Sequence, residues 1–441
     1  MSTKGKTLRL HKTVAALAVF ALAASACGSD AKKAVDDTKA TASSVAAAVT
    51  TAAPAPAGGI KVIVATDLPL QGASKDASDD TNKAIELLLE QTKGKAGKFT
   101  IELKKYDNST AAKGSWDDAT CAKNAQDHVA NKAEVAVMGT YNSGCAKIEI
   151  PVLNEDKTGP MLMISHANTN PGITKAWDPG EPAKYYPTGK RNYGRVVATD
   201  DLQGAAGAGF AGKDLKVTKC VVLNDAQTYG VGVAKAFEDS AKANGITVVA
   251  TKAWDAKQPN YTALFESFKA LDPDCVYLGG INDNNGEQLI RDKVAVLGPN
   301  TGKVKLVAPD GFTGFPTLLE LKEADQMYVT FAGLPVSELL KAAGAGAKFA
   351  ADYKTKYGKD PASAYASYGA AAMQLIMKAI EASDGTRASV TAKAFEVKVS
   401  AAESVIGKEF SLDKNGDVTA KDMSIQQIKE KKEVFLKAWP L

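Results

Sequence analysis

The sequence has few histidines and no large excess of charge of either sign. Three histidines occur in 441 residues, and neither a His-Glu-x-x-His nor a Gly-x-Ser-x-Gly motif is present. Lys and Arg total 54 against 50 Asp and Glu, which argues against nucleic acid or an anionic membrane face as a partner. After residue 27 no run approaches the roughly 20 apolar residues that span a bilayer. We therefore expect no metal, no cofactor and no catalytic residue.

The N-terminus has the pattern of an export signal. Its positive end contains Lys4, Lys6, Arg9 and Lys12. An apolar stretch follows, too short to span a membrane, and ends in Ala-Ser-Ala-Cys27. This ending resembles the lipobox of bacterial lipoproteins, in which the cysteine thiol receives a diacylglyceryl group. We predict a signal peptide at residues 1–26 and a chain lipid-anchored to the cell membrane at Cys27; an ordinary secretory signal is the alternative.

Residues 27–58 predict a flexible tether between this anchor and the folded part of the chain. They are mainly Ala, Thr, Ser, Val, Lys and Asp with two prolines, and so contain too few large apolar side chains to form a core. About 380 residues remain, which is enough for two domains.

Cysteine is scarce as well, with five residues in all. Four follow Cys27, and an even number in an exported chain is typical of two disulfides with three alternative pairings. No two of them have the spacing of zinc ligands. The four divide evenly between the two halves of the chain: Cys121 and Cys145, then Cys220 and Cys275. Pairing within each half requires the least adjustment of geometry, so we expect these two bridges.

Strand-like and helical stretches alternate in two runs. The first run predicts strands at 60–65, 99–106, 135–138 and 161–165, with helices at 81–91, 116–131 and 146–154. The second predicts strands at 220–223, 246–250, 275–278 and 304–308, with helices at 231–244, 261–271 and 287–296. Such alternation is typical of doubly wound parallel sheets. The fold class is therefore α/β with two lobes of like architecture.

The rest of the chain predicts a strand at 327–331, helices at 337–357 and 362–382, and strands at 409–412, 423–428 and 433–438. A chain that adds helices and strands after two complete α/β runs crosses between the lobes more than once, which makes a multi-strand hinge. We assign residues 59–198 plus 332–392 to an N-terminal lobe and residues 199–331 plus 393–441 to a C-terminal lobe.

Three motifs suggest other functions and are rejected. Residues 207–212 (GAGFAG) match the dinucleotide fingerprint but precede a strand instead of following one. Residues 413–417 (DKNGD) lack the spacing and closing Glu of a calcium loop, and favour a hairpin turn. His166, beside Ser165 and near Ser143, could form a hydrolytic pair, but the same residues can also bind a ligand.

Parallel sheets bind ligands at the carboxyl ends of their strands. The residues that follow the predicted strands are mostly small, polar or aromatic: 66–67, 107–108, 140–145, 165–169, 224–229, 279–283 and 310–311. This composition predicts a compact polar ligand between the two lobes.

Four of these segments carry a family resemblance. Residues 139–145 (GTYNSGC), 163–170 (MISHANTN), 224–230 (NDAQTYG) and 308–311 (APDG) resemble, in order and spacing, the ligand-contacting segments of type I periplasmic binding proteins of branched-chain amino acid ABC importers. Residues 185–201 resemble the first crossover between the lobes in that family. The resemblance extends from about residue 59 to the C-terminus and implies that family's two-lobed fold.

The resemblance also implies ligand contacts. In that family the serine of the first segment and alternate residues of the second hold the ligand α-carboxylate, and here these are Ser143, Ala167 and Thr169. Ser143 also stands before a predicted helix, where N–H groups and the helix dipole favour an anion. The tyrosine of the third segment and an acid after the last strand contact the ammonium, and here these are Tyr229 and Asp310. Asn142 and Ile281 complete the predicted site.

The chain departs from the family pattern at four positions. Ala77 and Ile281 stand where leucine-type binders often carry tyrosine, Asp310 is one methylene shorter than the usual glutamate, and His166 replaces a residue that is more often proline. The resemblance implies an extracytoplasmic, monomeric binding protein that delivers an aliphatic amino acid to an ABC permease and has no enzymatic activity. A sensor subunit for a membrane receptor, or a binder of a related amide or small carboxylate, is the alternative.

Overall fold

The structure is a computed structural model that describes residues 59–341 and 344–441. The predicted signal peptide at 1–26, the lipid attachment site Cys27 and the tether at 27–58 lie outside the described residues. Among the described residues, no helix is long and apolar enough to cross a membrane.

The first run of elements forms a six-stranded sheet with the spatial order β2-β3-β1-β6-β7-β8. Its pairs are parallel except β2 with β3. In chain order the elements are β1 (Ile60–Leu68), α1 (Lys75–Gln91), β2 (Lys95–Ala96), β3 (Phe99–Asp107), β4 (Ser109–Thr110), β5 (Ser115–Trp116), α2 (Asp118–Ala130), β6 (Glu134–Gly139), α3 (Ser143–Asn154), β7 (Leu162–Ser165) and β8 (Tyr193–Arg195).

The second run belongs to a seven-stranded sheet with the order β10-β9-β11-β12-β13-β16-β17. Its elements are α4 (Asp200–Lys213), β9 (Lys219–Asn224), α5 (Thr228–Ala241), β10 (Thr247–Ala253), α6 (Thr262–Glu266), β11 (Cys275–Gly279), α7 (Gly286–Leu297), β12 (Lys305–Ala308), α8 (Pro316–Glu320) and β13 (Tyr328–Phe331). The pairs from β10 to β13 are parallel.

The remaining elements return to both sheets. They are α9 (Val336–Leu339), α10 (Ala345–Tyr357), α11 (Tyr365–Glu381), α12 (Arg387–Ala394), β14 (Lys398–Val399), β15 (Phe410–Ser411), β16 (Ser424–Lys429) and β17 (Lys432–Ala438). The helices α9 to α11 pack with the first sheet in one core, whereas β16 and β17 add two antiparallel strands to the edge of the second sheet. We call the first sheet with its helices the first lobe, and the second sheet with its helices the second lobe.

Helix α11 is the central helix of the first lobe. Its alanine-rich sequence favours a helix, and most of its side chains are buried. Gly369 lies so close to α1 that an added Cβ would stand 2.4 Å from Cγ2 of Thr81. Two helices can approach this closely only where one carries no side chain, so Gly369 fixes how α11 packs on α1.

Both predicted cystine bridges are present. Cys121 on α2 is bonded to Cys145 on α3, with their Cα atoms 5.6 Å apart. Cys220 on β9 is bonded to Cys275 on the neighbouring strand β11, with Cα atoms 4.4 Å apart. The first bridge ties together the two helices that follow β5 and β6, and the second joins two parallel strands of the second sheet.

The alternation of strands and helices is confirmed, and the differences lie mainly at helix boundaries. The predicted helix at 81–91 begins at Lys75, and the one at 146–154 begins at Ser143. The predicted helix at 337–357 is two helices, α9 and α10, because Gly344 with φ 102° stands before the second. The GAGFAG segment lies within α4 and therefore does not form the loop between a strand and a helix that a dinucleotide-binding motif requires. Residues 413–417 form a hairpin turn, in which Asp413 N donates to Asp417 O at 2.8 Å.

The division of the chain into two lobes remains a prediction, but part of residues 393–441, which the sequence places in the second lobe, packs differently. Val399, Phe410 and Leu412 are buried in the core of the first lobe, and the chain joins the second sheet only at β16. Short polar stretches surround these apolar residues, so the sequence pattern alone does not indicate which sheet they cover.

Candidate functional site

Five of the seven loops that the sequence predicted to meet contribute residues to one small cavity between the lobes, whereas residues 66–67 and 107–108 do not line it. Its volume is about 30 Å³. Its lining contains all the predicted ligand-contacting residues except Thr169, together with three others: Tyr141, Asn142, Ser143, Ala167, Tyr229, Ile281, Asp310, Gly311 and Tyr365. In the first lobe, Tyr141, Asn142 and Ser143 follow β6 and Ala167 follows β7. In the second lobe, Tyr229 follows β9, Ile281 follows β11, and Asp310 and Gly311 follow β12. Tyr365 begins α11.

The first-lobe side of the cavity has the groups needed to hold an anion. Ser143, which is 2% exposed, begins the twelve-residue helix α3, with Asn142 at the N-cap. The N–H groups at a helix N-terminus carry partial positive charge and point outward. The Ser143 hydroxyl accepts a 3.3 Å hydrogen bond from Asn170 N, which holds it beside the second segment.

Residues 163–170, the second of the four resembling segments, are held in place by hydrogen bonds from Arg195 to their backbone. Arg195 is fully buried and donates to the carbonyls of Asn168 at 2.8 Å and Asn170 at 3.0 Å. Thr169, between them, is also fully buried, and its hydroxyl has no hydrogen-bond partner among the described residues. Thr169 does not line the cavity, but it follows Ala167, which does. A hydroxyl without a partner is costly when buried; the Thr169 hydroxyl faces the carboxylate of Asp200 and lowers the pKa of that group, against the effect of burial.

The second-lobe side contains a buried carboxylate. Asp310 is 3% exposed and accepts hydrogen bonds from the hydroxyls of Tyr229 and Tyr365, one on each oxygen. Burial raises the pKa of Asp310, although the two donors oppose this effect. Burial and the charge of Asp310 raise the pKa values of Tyr229 and Tyr365 well above their usual range, so both hydroxyls stay protonated and donate. Because Tyr365 belongs to the first lobe, this contact also closes the cleft.

A second buried acid lies behind the cavity. Asp200, at the start of α4, is fully buried, and neither of its carboxylate oxygens has a partner among the described residues. Burial and the negative charge of Asp310 raise its pKa well above the usual range. Of the residues that the structure describes, no lysine or arginine lines the cavity. This end of the site is therefore suited to a positively charged group and unsuited to a negative one.

Sequence reasoning missed two aromatic walls of the cavity. The ring centroid of Tyr141 lies 5.7 Å from that of Tyr365 and 5.6 Å from that of His166, in edge-on arrangements. Tyr141 belongs to the first motif and could have been selected as an aromatic residue in a ligand loop. Tyr365 had no such signal, because it is part of a helix far from the four motifs.

His166 does not form the hydrolytic pair that the sequence raised as an alternative. Its imidazole is fully buried with neither nitrogen bonded to a described residue, and burial lowers its pKa to about 3. The hydroxyl of Ser165 donates instead to Thr140 O at 2.8 Å. Ala77, another of the four positions at which the chain departs from the family, is buried in α1 and does not line the cavity.

The described residues contain two buried groups of potential metal ligands. One consists of Glu149 and the disulfide-bonded pair Cys121 and Cys145, and the other consists of Asp67, His128 and Glu149. Here the imidazole lies between two carboxylates, with Nε2 3.0 Å from Asp67 Oδ2 and Nδ1 in contact with Glu134. Burial lowers the pKa of His128, but the hydrogen bonds and charges of these acids outweigh it and raise the pKa to about 9. An imidazolium thus balances the buried negative charge.

Three comparisons relate this chain to known proteins. The sequence profile of the Periplasmic binding protein family matches residues 60–433. A Leu/Ile/Val-binding protein of Rhizobium johnstonii is 31% identical over 150 residues, which cover 34% of this chain and 37% of that protein. The chain thus matches little more than a third of the length of this relative.

Solved structures give the same fold over most of the chain. A leucine-binding protein from Thermotoga maritima aligns with a TM-score of 0.72 at 22% identity, covering 86% of this chain and 98% of that one. An ABC-transporter solute-binding protein from R. palustris, solved in complex with benzoate, aligns with a TM-score of 0.69 at 19% identity, covering 86% and 96%. The architecture is therefore shared by proteins whose ligands differ in chemistry.

Proposed function

Since the chain belongs to the Periplasmic binding protein family, we propose that it is the extracytoplasmic solute-binding subunit of an ABC importer. Its two lobes would close around a small ligand and present the closed form to a membrane permease. The observation that carries this proposal is the cavity between the lobes, which has a helix N-terminus on one side and a buried carboxylate on the other.

We propose that the ligand is a small zwitterion and, in particular, an aliphatic amino acid. Ser143, Ala167 and Thr169 would hold the carboxylate, while Asp310 and Tyr229 would enclose the ammonium. This arrangement is chemically consistent, because an ammonium with a charge-assisted hydrogen bond to a carboxylate is one of the stronger polar contacts in proteins.

The walls of the cavity support an aliphatic side chain. Ile281 and Ala167 contribute apolar surface, and the rings of Tyr141 and Tyr365 stand beside them. The side-chain amide oxygen of Asn142 is buried without a partner among the described residues. We propose that this oxygen accepts from the ligand or from a bound water.

An aromatic acid such as benzoate is a poorer candidate, although a structural relative was solved with benzoate. Benzoate has no cationic group to balance the charge of Asp310, which is bonded only to neutral donors, the hydroxyls of Tyr229 and Tyr365, among the described residues. Its binding would place a second anion in the same small cleft without a counter-charge, and an uncompensated charge in a buried site costs several kcal/mol. A small amide has a donor but no full positive charge, and it therefore ranks between the two.

We also propose that the mature chain is anchored by lipid at Cys27 after removal of residues 1–26. The support is the sequence of basic residues, a short apolar stretch and Ala-Ser-Ala-Cys. Replacement by Cys27→Ser should abolish labelling by radioactive palmitate and leave ligand binding intact. Labelling of the variant at the wild-type level would contradict lipid attachment at this residue.

The ligand can be identified by a thermal-shift screen of the mature protein against the twenty L-amino acids, their amides and small carboxylates including benzoate. A ligand present at 100 times its dissociation constant adds about 2.7 kcal/mol to stability, which moves the melting temperature by several degrees. We expect leucine, isoleucine, valine or a related aliphatic amino acid to produce the shift. A shift with benzoate and with no amino acid would contradict the proposed ligand.

A transport measurement distinguishes import from the alternative role, which is sensing for a membrane receptor. Deletion of the gene should abolish high-affinity uptake of the radiolabelled ligand by the source cells. Unchanged uptake together with loss of a ligand-induced response would favour a sensor subunit.

A further inference from the structure

A bidentate contact joins the two lobes at the rim of the cleft, outside the ligand cavity. Ser74, in the first lobe, donates from its backbone N to Asp283 Oδ1 at 2.9 Å and from its hydroxyl to Asp283 Oδ2 at 2.8 Å. Asp283 belongs to the loop after β11 in the second lobe. Neither residue lines the cavity, so the pair does not contact a ligand bound there.

The first-lobe partner occupies the N-terminus of a long helix. Ser74 is the N-cap residue of the 17-residue helix α1, and its side chain makes no capping bond within that helix. Ser74 is 2% exposed, and its hydroxyl donates to Asp283. The positive end of the α1 dipole therefore faces a carboxylate of the other lobe, an arrangement that favours the anion.

The second-lobe partner stands on a braced loop. Asp225 Oδ2 accepts from Ile281 N at 3.1 Å and from the side-chain amide of Asn284 at 2.8 Å. The indole of Trp254 donates to Asn284 O at 2.7 Å. These bonds hold the loop in place on both sides of Asp283.

The same loop also forms part of the cavity wall. Ile281, two residues before Asp283, lines the cavity, so one short rigid loop carries both a surface for the ligand and a contact with the opposite lobe. A ligand that seats against Ile281 thus requires the same loop position that brings Asp283 to Ser74.

We propose that Ser74 and Asp283 form a latch that holds the lobes closed over the ligand, so that Asp283 sets the affinity without touching the ligand. This inference rests on the proposed binding function. The apparent dissociation constant of a protein that binds only in one conformation equals the intrinsic constant divided by the fraction in that conformation. Removing the latch lowers the closed fraction and speeds the release of ligand.

The test uses four variants of the mature protein and calorimetric titration with L-leucine, L-isoleucine and L-valine. Hydrogen bonds to a charged group contribute more than neutral ones, so Asp283→Ala should weaken binding about 10- to 100-fold, or about 1.4 to 2.8 kcal/mol. Ser74→Ala, which keeps the backbone donor, should weaken it less. The double variant should have the same affinity as Asp283→Ala, because both substitutions act on the same contact and their effects do not add.

The matched control is Asp255→Ala. Asp255 is another second-lobe carboxylate near the rim, but among the described residues its side chain accepts only from Lys257 N and the side chain of Gln258, both in its own lobe. This variant should bind within about twofold of wild type. Stopped-flow measurements should place the loss in Asp283→Ala in the dissociation rate, because the ligand meets the open form in every variant. Affinity within twofold of wild type in Asp283→Ala would overturn the latch.

Hydrogen exchange without ligand separates failure of the latch from failure of the proposed function. The Asp283→Ala variant should exchange faster than wild type at the amides of Ser74 and the first turn of α1, while the Asp255→Ala variant should not. Wild-type protein that binds none of the three amino acids would contradict the proposed ligand class. In that case unchanged exchange in the Asp283→Ala variant overturns the latch, and faster exchange supports it.

Discussion

Replacement of Asp310 by alanine should remove most of the affinity for the ligand. In the wild-type protein Asp310 is 3% exposed and bonded by the hydroxyls of Tyr229 and Tyr365. The alanine variant leaves a ligand ammonium enclosed in the cleft without an anion. Truncating one partner of a buried, hydrogen-bonded charge pair costs about 2–5 kcal/mol. The dissociation constant should therefore rise by roughly 30-fold to several thousand-fold.

Two further variants divide this loss into its parts. Asp310→Asn keeps the size of the side chain and one acceptor oxygen but removes the charge. It should behave more like Asp310→Ala than like wild type if charge recognition dominates. Tyr365→Phe keeps the ring that lines the cavity and removes only one hydroxyl, so it should change affinity by about tenfold or less, as expected for a single hydrogen bond.

The assay is calorimetric titration with the amino acid that gives the largest thermal shift, on variants whose folding has been checked by thermal unfolding. The folding check matters because Asp310 also begins a short turn in which Thr313 donates to Asp310 O at 2.8 Å. If Asp310 were only a turn residue, Asp310→Ala would lose stability and keep its affinity. A folded Asp310→Ala protein that binds within twofold of wild type would refute the role given to this carboxylate.

Three other predictions concern the stability of the lobes. His128 has a pKa of about 9 in the folded chain against about 6.5 in the unfolded chain. It therefore adds a few kcal/mol to the free energy of unfolding below about pH 6.5, and this contribution is lost as the pH rises through 9. Urea unfolding at a series of pH values should show this decline in the wild type and not in His128→Gln. Replacing Cys121 and Cys145 by serine should lower the free energy of unfolding by about 3 kcal/mol on the chain-entropy model, and peptide mapping of the wild type without reduction should recover the Cys121–Cys145 and Cys220–Cys275 pairs. Gly369→Val should destabilise the first lobe by about 1–3 kcal/mol through overpacking against Thr81, whereas Ala382→Val at the exposed end of the same helix should not.

The features that the sequence predicted well are those encoded locally. Residues 139–145 and 163–170 each follow a strand, and parallel strands deliver their carboxyl ends to one edge of the sheet. The positions of Ser143 and Ala167 beside one cavity follow from that rule. Asp310 joins them from the other sheet because the second run of strands has the same local pattern.

The features that the sequence did not predict depend on contacts between distant segments. Tyr365 reaches the cavity because α11 packs on α1 through Gly369, and no periodicity within α11 indicates which loop its first residue faces. Asp200 lies in the segment 185–201 that resembles a crossover, and nothing in that segment predicts its burial near Asp310, which requires the two lobes to be placed together. The same holds for Ser74 and Asp283, which lie 209 residues apart.

The central claim is that the cleft recognises both ends of a zwitterion, and the most direct measurement compares an amino acid with derivatives that lack one charge. The mature wild-type protein is titrated with the best-binding aliphatic amino acid, with its N-acetyl derivative and with its amide. Sites built around buried polar groups strongly reject analogues that leave those groups unpaired, so each derivative should bind at least about 100-fold more weakly than the parent. Equal affinity for the parent and the N-acetyl derivative would contradict recognition of the ammonium by Asp310, and equal affinity for the parent and the amide would contradict recognition of the carboxylate by Ser143 and Thr169.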